Sequence, residues 1–552
     1  VGEPRADIVV IGGGPAGSTL AWRLARDGAR VVLLERTRFP REKVCGDYVE
    51  PRGLAILQEM GCLATLDGRK PLPITTSSTY VDGVARYRGP IPFYGRDDRT
   101  PPHGYIVPRD DLDTVMLEAA EVAGATVHQE TGALGVAIDP TGVDVEARHK
   151  GRITRYRAAL VAGADGVNSV VASAGGVLSD DERHIAVARR AYATGMDADV
   201  GEAMFWFDRS LFPGYGWVFP MSGGRVNVGI GLLAETRRRQ DVAIPALFAT
   251  FLERLRASGP PYDRLELCST PIGGIVKTYG GAGPRVLDRG VLVGDAGSFV
   301  DPMTGEGITP AMESALLAAP VLLDALQTGR AAATDLAAYD TDARAYFDPS
   351  MRFLVTCAST LRNPHLARPW LDALARGCEM AQADETFARE ASAYFGGQNV
   401  RPTRVMSAII AAVVRDMILA WPRTILPGAG RSRGTTLTDL MAWQAAWARS
   451  LFADPVWHLR WSMEVQRKWI GLVAGGMVSD GDPRTIGPDA WRAKRDAKGD
   501  SENGSAKSGA RTNGRSRPGS SKTSASVRRR PAATKPPTTA EDTAATPRSL
   551  TP

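Results

Sequence analysis

The chain has few of the residues that staple or metallate a fold. Its 552 residues include five cysteines (Cys45, Cys62, Cys268, Cys357, Cys378) and six histidines. The cysteines stand far apart with no paired spacing, which excludes a disulfide framework and a zinc ribbon and suits a reducing cytoplasm. The histidines form no cluster, so no metal site is expected. Long apolar runs are also missing. Val405–Val414 is interrupted by Arg415 and Asp416 after about ten residues, too short to span a bilayer. No leader peptide is expected either, since the first strand begins by Asp7.

Large apolar side chains run out towards the end. Arg492–Pro552 is rich in Ser, Thr, Ala, Pro and Gly and carries 14 Lys and Arg against 5 Asp and Glu. Such a segment buries too little surface to fold and is expected to be disordered. The whole chain has a formal charge of +6, so the preceding residues carry −3 and the basic balance belongs to the tail. Arg528–Arg530 is suited to anionic lipid or nucleic acid, but a solvated tail is the simpler expectation. Nothing else points to nucleic acid.

What is present is glycine, 59 residues of it, within a chain that is 43% hydrophobic. Asp7-Ile-Val-Val-Ile-Gly-Gly-Gly-Pro-Ala-Gly17 reads as a buried strand running into a helix from about Pro15 to Asp27. Gly12 permits the tight turn, Gly14 lets backbone approach a pyrophosphate, and Gly17 lets the helix pack on the sheet. The helix N-terminus offers unpaired N–H groups and a positive dipole end to the phosphates. Glu35, closing the next apolar run, is placed to accept from ribose hydroxyls. This pattern alone does not separate NAD from FAD.

Two later segments do. Gly163-Ala-Asp-Gly-Val-Asn-Ser169 and Val291-Leu-Val-Gly-Asp-Ala296, followed by Asp301-Pro-Met-Thr-Gly-Glu-Gly307, resemble the second and third motifs of the single-chain FAD oxidoreductases built like p-hydroxybenzoate hydroxylase. The resemblance implies that Asp165 and Gly166 lie beneath the pyrophosphate and that Asp295 holds the ribityl chain. Gly305 and Gly307, with Ile308 opening a helix, then set N–H groups at the flavin edge, where the helix end stabilises negative charge. Arg109 matches a family arginine near the phosphates and flavin. With Gly12, Gly14, Ala16, Gly17, Glu35, Arg36 and Cys45, these make the implied FAD-binding set.

Phe39-Pro-Arg-Glu-Lys-Val-Cys-Gly-Asp-Tyr-Val-Glu-Pro51 is similar to a stretch of the geranylgeranyl reductase family. Pro213-Gly-Tyr-Gly-Trp-Val-Phe-Pro220 resembles that family's Y-x-W-x-F-P motif, which lines the cavity at the flavin face; alternating aromatics also suit any half-buried strand. Tyr215 and Phe219 stand where flavin halogenases have Trp and Ile, which argues against halogenation. The resemblance spans roughly Ala6 to Ala345. It implies an FAD-dependent oxidoreductase that reduces C=C bonds of a hydrophobic, prenyl-like small molecule or lipid, with a monooxygenase (hydroxylase or epoxidase) as the alternative and a catalytically silent flavoprotein subunit as a third. Tyr215 or a water would donate the proton, Trp217 would wall the cavity, and Cys45 would sense redox state or serve as a small buried hydrophobe.

The fold expected is α/β. A discontinuous Rossmann-like FAD-binding domain is assigned to 1–70, 105–175 and 285–331, substrate-domain strands to 71–104, and the β-sheet substrate domain to 176–284. A C-terminal helical region follows over 332–480, and a disordered basic tail over 481–552. Trp421, Trp443, Trp447, Trp457, Trp461 and Trp469 gather in the helical region, where helical spacing favours core and an interfacial lipid surface is the alternative. Gly280-Gly-Ala-Gly-Pro284 looks like a second dinucleotide loop but precedes a strand, so no separate NADPH domain is expected. Electrons would come from transiently docked NAD(P)H or a partner reductase. The expected location is the cytoplasm, or the inner face of the membrane as a peripheral protein.

Overall fold

The architecture comes from a computed structural model that describes residues 6–91, 101–196, 201–281, 283–392, 405, 407–409, 411–412, 415, 437–474 and 487–497. Ala6–Ile11, with Asp7 as its one polar residue, is the middle of a parallel sheet. Its order runs Thr126–His128, Val31–Leu34, Ala6–Ile11, Arg152–Gly163, Gly290–Leu292, all parallel, and Ile8 pairs with both Val31 and Leu160. These strands read as apolar runs rather than alternations because both faces are covered. Helices Pro15–Arg26, Arg109–Val122 and Ile308–Thr328 pack on one side. The antiparallel strands Thr131–Asp139 and Gly142–His149 fold onto Arg152–Gly163. Three separate stretches of chain thus build one sheet, and only distant segments brought together complete it.

A second sheet runs Glu266–Leu267, Ile185–Thr194, Val226–Leu233, Tyr215–Pro220, Glu202–Phe207, Thr76–Val81, Val84–Pro90, with Ile272–Lys277 also paired to Ile185–Thr194. Its period-two alternation separates two apolar faces. Met204, Trp206, Val218 and Ile230 face helix Ile244–Ala257, where Gly216 leaves room for the Phe251 ring. Phe205, Tyr215, Trp217 and Phe219 face the other way. A short sheet of Tyr48–Val49, Gly104–Ile106 and Pro73–Ile74 joins the two.

Helices Ala333–Leu361, Ala367–Ala383, Glu385–Ser392, Leu437–Ala453 and Pro455–Ala474 form the C-terminal region. Trp461 is buried and stacks on Trp457 at 5.9 Å, and Trp443 Nε1 donates to Asp372 at 3.2 Å, as core residues do. Trp447 departs from that expectation, being 46% exposed. Trp421 and part of Val405–Val414 lie outside the described residues. Arg362 bridges Glu235 at 2.7 Å and Glu464 at 2.6 Å, tying this region to the second sheet. Among the described residues, Ile308–Thr328 alone is long and apolar enough to cross a membrane, and 83% of its most apolar window is buried in the protein.

The expected tail boundary needs correction. Residues 488–497 are helical. Trp491 meets Tyr346 edge-on at 5.6 Å, and Arg492 Nε lies 2.9 Å from Asp342. One aromatic anchor and a buried carboxylate suffice to order a segment whose composition reads as a tail. The chain coheres as one unit over 1–495; the second unit is 496–552, and the disorder expected from 498 onward lies outside the described residues.

Candidate active site

The strand Ala6–Ile11 ends in Gly12, whose φ of +103° excludes a side chain that would in any case overlap the Ala164 carbonyl. A Cβ on Gly17 would collide with the Gly12 carbonyl, so that glycine sets how closely helix Pro15–Arg26 approaches the turn. Gly14 is different. A Cβ there would meet only Arg41 Nη2 at 3.7 Å and Arg109 Nη2 at 4.0 Å. No side chain caps the helix at Gly14, which leaves its first N–H groups for an anion.

Arg41 and Arg109 share one carboxylate. Arg109 holds Asp113 through Nε and Nη2, both at 2.8 Å, and Arg41 Nη2 stands 3.0 Å from the same group. Burial and the neighbouring Arg109 hold Arg41 below its usual range. Burial opposes charge on Arg109 too, but Asp113 and, more weakly, Cys45 and Asp47 outweigh it and raise its pKa. A pyrophosphate supplies the negative charge this pair calls for. Arg41, inside the quoted Phe39–Pro51 stretch, was not assigned a role from sequence; its position over the glycine turn only emerges once Asp113 is brought alongside.

Glu35 locks the turn from behind. Its Oε2 accepts from Gly13 N at 2.8 Å, while Oε1 accepts from Thr37 N and Oγ1 at 2.9 and 2.6 Å. A lone pair on Oε2 remains for a ribose hydroxyl. Arg36 is exposed beside it. Asp165 Oδ2 accepts from Val170 N at 2.7 Å and starts the short helix Val170–Ala174, with Gly166 at a φ of +80° between them. Burial raises the Asp165 pKa. The other oxygen, Oδ1, is buried without a hydrogen-bond partner among the described residues.

The third motif completes the cradle. Gly294, at a φ of +59°, leaves room for Ala16; a Cβ would approach the Ala16 Cβ to 2.9 Å. Asp295 follows, and its Oδ2 is a second buried carboxylate oxygen with no donor among the described residues. This orphaned acceptor on a cavity wall fits the hydroxyl-rich ribityl chain of FAD, and the cradle at Gly12–Gly17 fits its phosphates. Gly305 and Gly307 lead into Ile308, whose helix is capped by Glu306 Oε1 accepting from Thr309 N at 2.7 Å.

Asp295, Gly305, Gly307, Ile308, Arg109, Cys45, Tyr215 and Trp217 line one cavity of about 430 Å³. Gly12, Glu35, Arg36, Asp165 and Gly166 do not line it. Tyr215, Trp217 and Phe219 project from alternate positions of their strand, opposite Gly231, Gly229 and Asn227. Gly229 accommodates the Trp217 indole, which a Cβ would strike. The Tyr215 hydroxyl donates to the Thr304 carbonyl and so fastens the sheet to the glycine turn. Burial, with Asp301 and Cys45 nearby, raises its pKa.

Behind Trp217 lies a polar network that sequence reasoning did not identify. Trp217 Nε1 donates to Asn227 Oδ1 at 2.9 Å, and Asn227 Nδ2 donates to Asp47 Oδ2 at 2.8 Å and to the Cys45 carbonyl at 2.9 Å. Tyr192 donates to the same Asp47 oxygen at 2.6 Å. Asp47 is fully buried at a φ of +61°, and burial pushes its pKa up to about 6 despite these donors. Cys45 borders the cavity; burial raises its thiol pKa against the pull of Arg109, which opposes the thiolate a reactive redox sensor needs. All five cysteines are free.

A parallel sheet ending in a glycine turn, an acid on the second strand, and an aspartate at the start of the third-motif turn define an FAD-binding oxidoreductase. Residues 5–353 match the family described as FAD binding domain, and the chain belongs to it. It is 33% identical over 333 residues to a menaquinone reductase of Mycolicibacterium smegmatis, covering 58% of this chain and 76% of the relative. It is 30% identical to digeranylgeranylglycerophospholipid reductase 1 of Methanococcoides burtonii, covering 59% and 76%. Among solved structures, a geranylgeranyl bacteriochlorophyll reductase-like protein from Thermoplasma acidophilum aligns with TM-score 0.58 at 24% identity, covering 68% and 92%. A flavin-dependent halogenase aligns with TM-score 0.57 at 20% identity, covering 75% and 78%. At these identities, the last two speak for the fold.

Proposed function

We propose that the protein reduces C=C bonds of a hydrophobic, prenyl-bearing substrate. The observation that carries this reading is the course of the cavity. It starts at Asp295 and Gly305–Ile308, passes the Phe205–Tyr215–Trp217 wall, and continues to Leu371, Leu374, Cys378 and Ala381 on helix Ala367–Ala383. A mostly apolar passage of this kind suits a flexible hydrocarbon chain better than a compact polar aromatic. The two curated relatives are named for reductions of menaquinone and of a digeranylgeranyl lipid, both of which carry polyprenyl chains.

FAD, when bound, supplies the hydride chemistry, with NAD(P)H or a partner reductase as the source of electrons. The chain's own contribution is placement and exclusion of water. Trp217, held by Asn227, presses the alkene towards the glycine turn at Gly305, and the aromatic wall keeps the site dry. The Tyr215 hydroxyl already donates its proton to the Thr304 carbonyl, so its role is to position the turn, and a water would deliver the proton to the substrate. Tyr48 offers another group on the same wall, a buried hydroxyl without a hydrogen-bond partner among the described residues, suited to the polar head of the substrate.

The test is the mass of the product. Holoprotein supplied with a reductant and a polyprenyl lipid, or a polyprenyl quinone whose head group is reoxidised by air before weighing, should yield a product heavier by the two hydrogens of a saturated bond. A product heavier by one oxygen would make the protein a monooxygenase. No product from any prenyl substrate, with flavin fully bound, would favour a silent subunit.

A further inference from the structure

Helix Pro455–Ala474 is apolar on two opposite sides. Trp461 and Val465 turn inward and are buried. Val456, Leu459, Met463 and Ile470 turn outward, 60%, 56%, 63% and 67% exposed, and Phe452 at the end of the preceding helix Leu437–Ala453 is 82% exposed. At about 100° per residue the four outward positions fall within one narrow stripe, and Arg460 and Arg467 flank one edge of it, both exposed. An exposed apolar strip of this length is unusual for a surface with no partner.

We propose that this stripe docks on an anionic lipid surface, with Phe452, Val456, Leu459, Met463 and Ile470 in the headgroup–acyl boundary and Arg460 and Arg467 on lipid phosphates. Charge decides between occupants. Among the described residues neither arginine makes an ion pair, and the acids near them are paired with other cations, Asp454 feeling Arg460 only at longer range. Glu464 accepts from Arg362 at 2.6 Å and Lys468 at 2.7 Å, and Asp454 pairs with Arg239 at 2.7 Å. The stripe is therefore apolar and cationic, the pairing an interfacial helix uses. A second copy of the chain fits it poorly, because two such stripes face to face set Arg460 and Arg467 against one another. Arg460, Glu464, Arg467 and Lys468 within one helix also make it a poor span and a good surface element. The proposal does not depend on the substrate assigned above.

Flotation of full-length holoprotein with vesicles measures it. Vesicles of phosphatidylcholine with phosphatidylglycerol should carry the protein, and phosphatidylcholine alone should carry much less. The pairs Leu459→Glu with Met463→Glu and Arg460→Glu with Arg467→Glu should each lower partitioning on the order of tenfold or more, with flavin content unchanged. In the unmodified chain, amide exchange across residues 452–470 should slow when the mixed vesicles are added, a readout that needs no variant. Variants that float like the parent, with binding lost only on removal of residues 498–552, would overturn the proposal in favour of the basic tail. It would equally be overturned if the parent did not float and Leu459→Glu with Met463→Glu turned a dimer into a monomer.

Discussion

Asp47 is the residue on which the aromatic wall at Trp217 and the Cys45–Gly46 turn both depend. Its backbone sits in a region disfavoured for a side chain, and its carboxyl is buried under Tyr192 and Asn227 with Oδ1 unpartnered. Because its pKa in the fold is raised to about 6, the neutral form is the one the fold prefers. That contribution is complete below the unfolded value near 4 and is lost as pH rises through about 6, a difference of about 3 kcal/mol at most. Asp47→Asn should therefore gain stability relative to the parent between pH 4 and pH 7, measured by urea unfolding across that window. Parallel curves would show that Asp47 does not titrate there.

The two carboxylates proposed to hold the cofactor, Asp295 and Glu35, differ at the same scale. Asp295→Ala removes a buried oxygen, Oδ2, that has no hydrogen-bond partner among the described residues, so it should weaken FAD retention by roughly 1–3 kcal/mol and lower apoprotein stability less than Glu35→Ala does. Glu35→Ala also deletes the bonds to Gly13 and Thr37, so apoprotein melting should fall with it. Flavin retention on gel filtration, read beside apoprotein melting, separates the two cases. If Asp295→Ala kept FAD as tightly as the parent, its placement on the ribityl chain would be wrong.

Among elements, the strand Tyr215–Pro220 and the glycine turns were legible because their chemistry is local. A positive φ or a close backbone approach demands glycine at a fixed place, and aromatic alternation marks a two-sided strand. The far wall was not legible. Leu371, Leu374 and Cys378 sit on an ordinary helix, and nothing in their spacing says that they continue a cavity that begins at Asp295. Arg41 was likewise inside a quoted segment and Asn227 lies on the strand that follows another, but their roles depend on Asp113 and Asp47 arriving from elsewhere in the chain. The far wall gives a prediction at this scale. Leu374→Trp should fill the passage, sparing short prenyl substrates while lowering kcat/KM for long ones by roughly tenfold to a hundredfold, the scale of a few displaced methylenes. Equal loss for short and long chains would place the chain elsewhere.

For the whole molecule, composition marked a tail but not where folding stops. Serine, alanine and basic residues dominate from Arg492, yet Trp491 was the aromatic signal of a docking point, and Asp342 supplied the partner. Ending the chain after residue 497 should leave flavin content and melting temperature nearly unchanged. Ending it after residue 486 strips Asp342, which is 4% exposed, of Arg492 and Arg495, and should destabilise by about 3 kcal/mol. Equal melting temperatures for the two truncations would show that residues 488–497 contribute no stability.

The central claim is that this FAD-binding fold spends its reducing power on an alkene in a long apolar cavity. The direct measurement mixes reduced holoprotein with a polyprenyl quinone or lipid under nitrogen and follows flavin absorbance alongside the count of substrate double bonds. The expected result is return of the oxidised spectrum at one double bond lost per flavin, with no oxygen present. A flavin that stays reduced under nitrogen, and reoxidises only when oxygen is admitted and the substrate gains an oxygen atom, would contradict it.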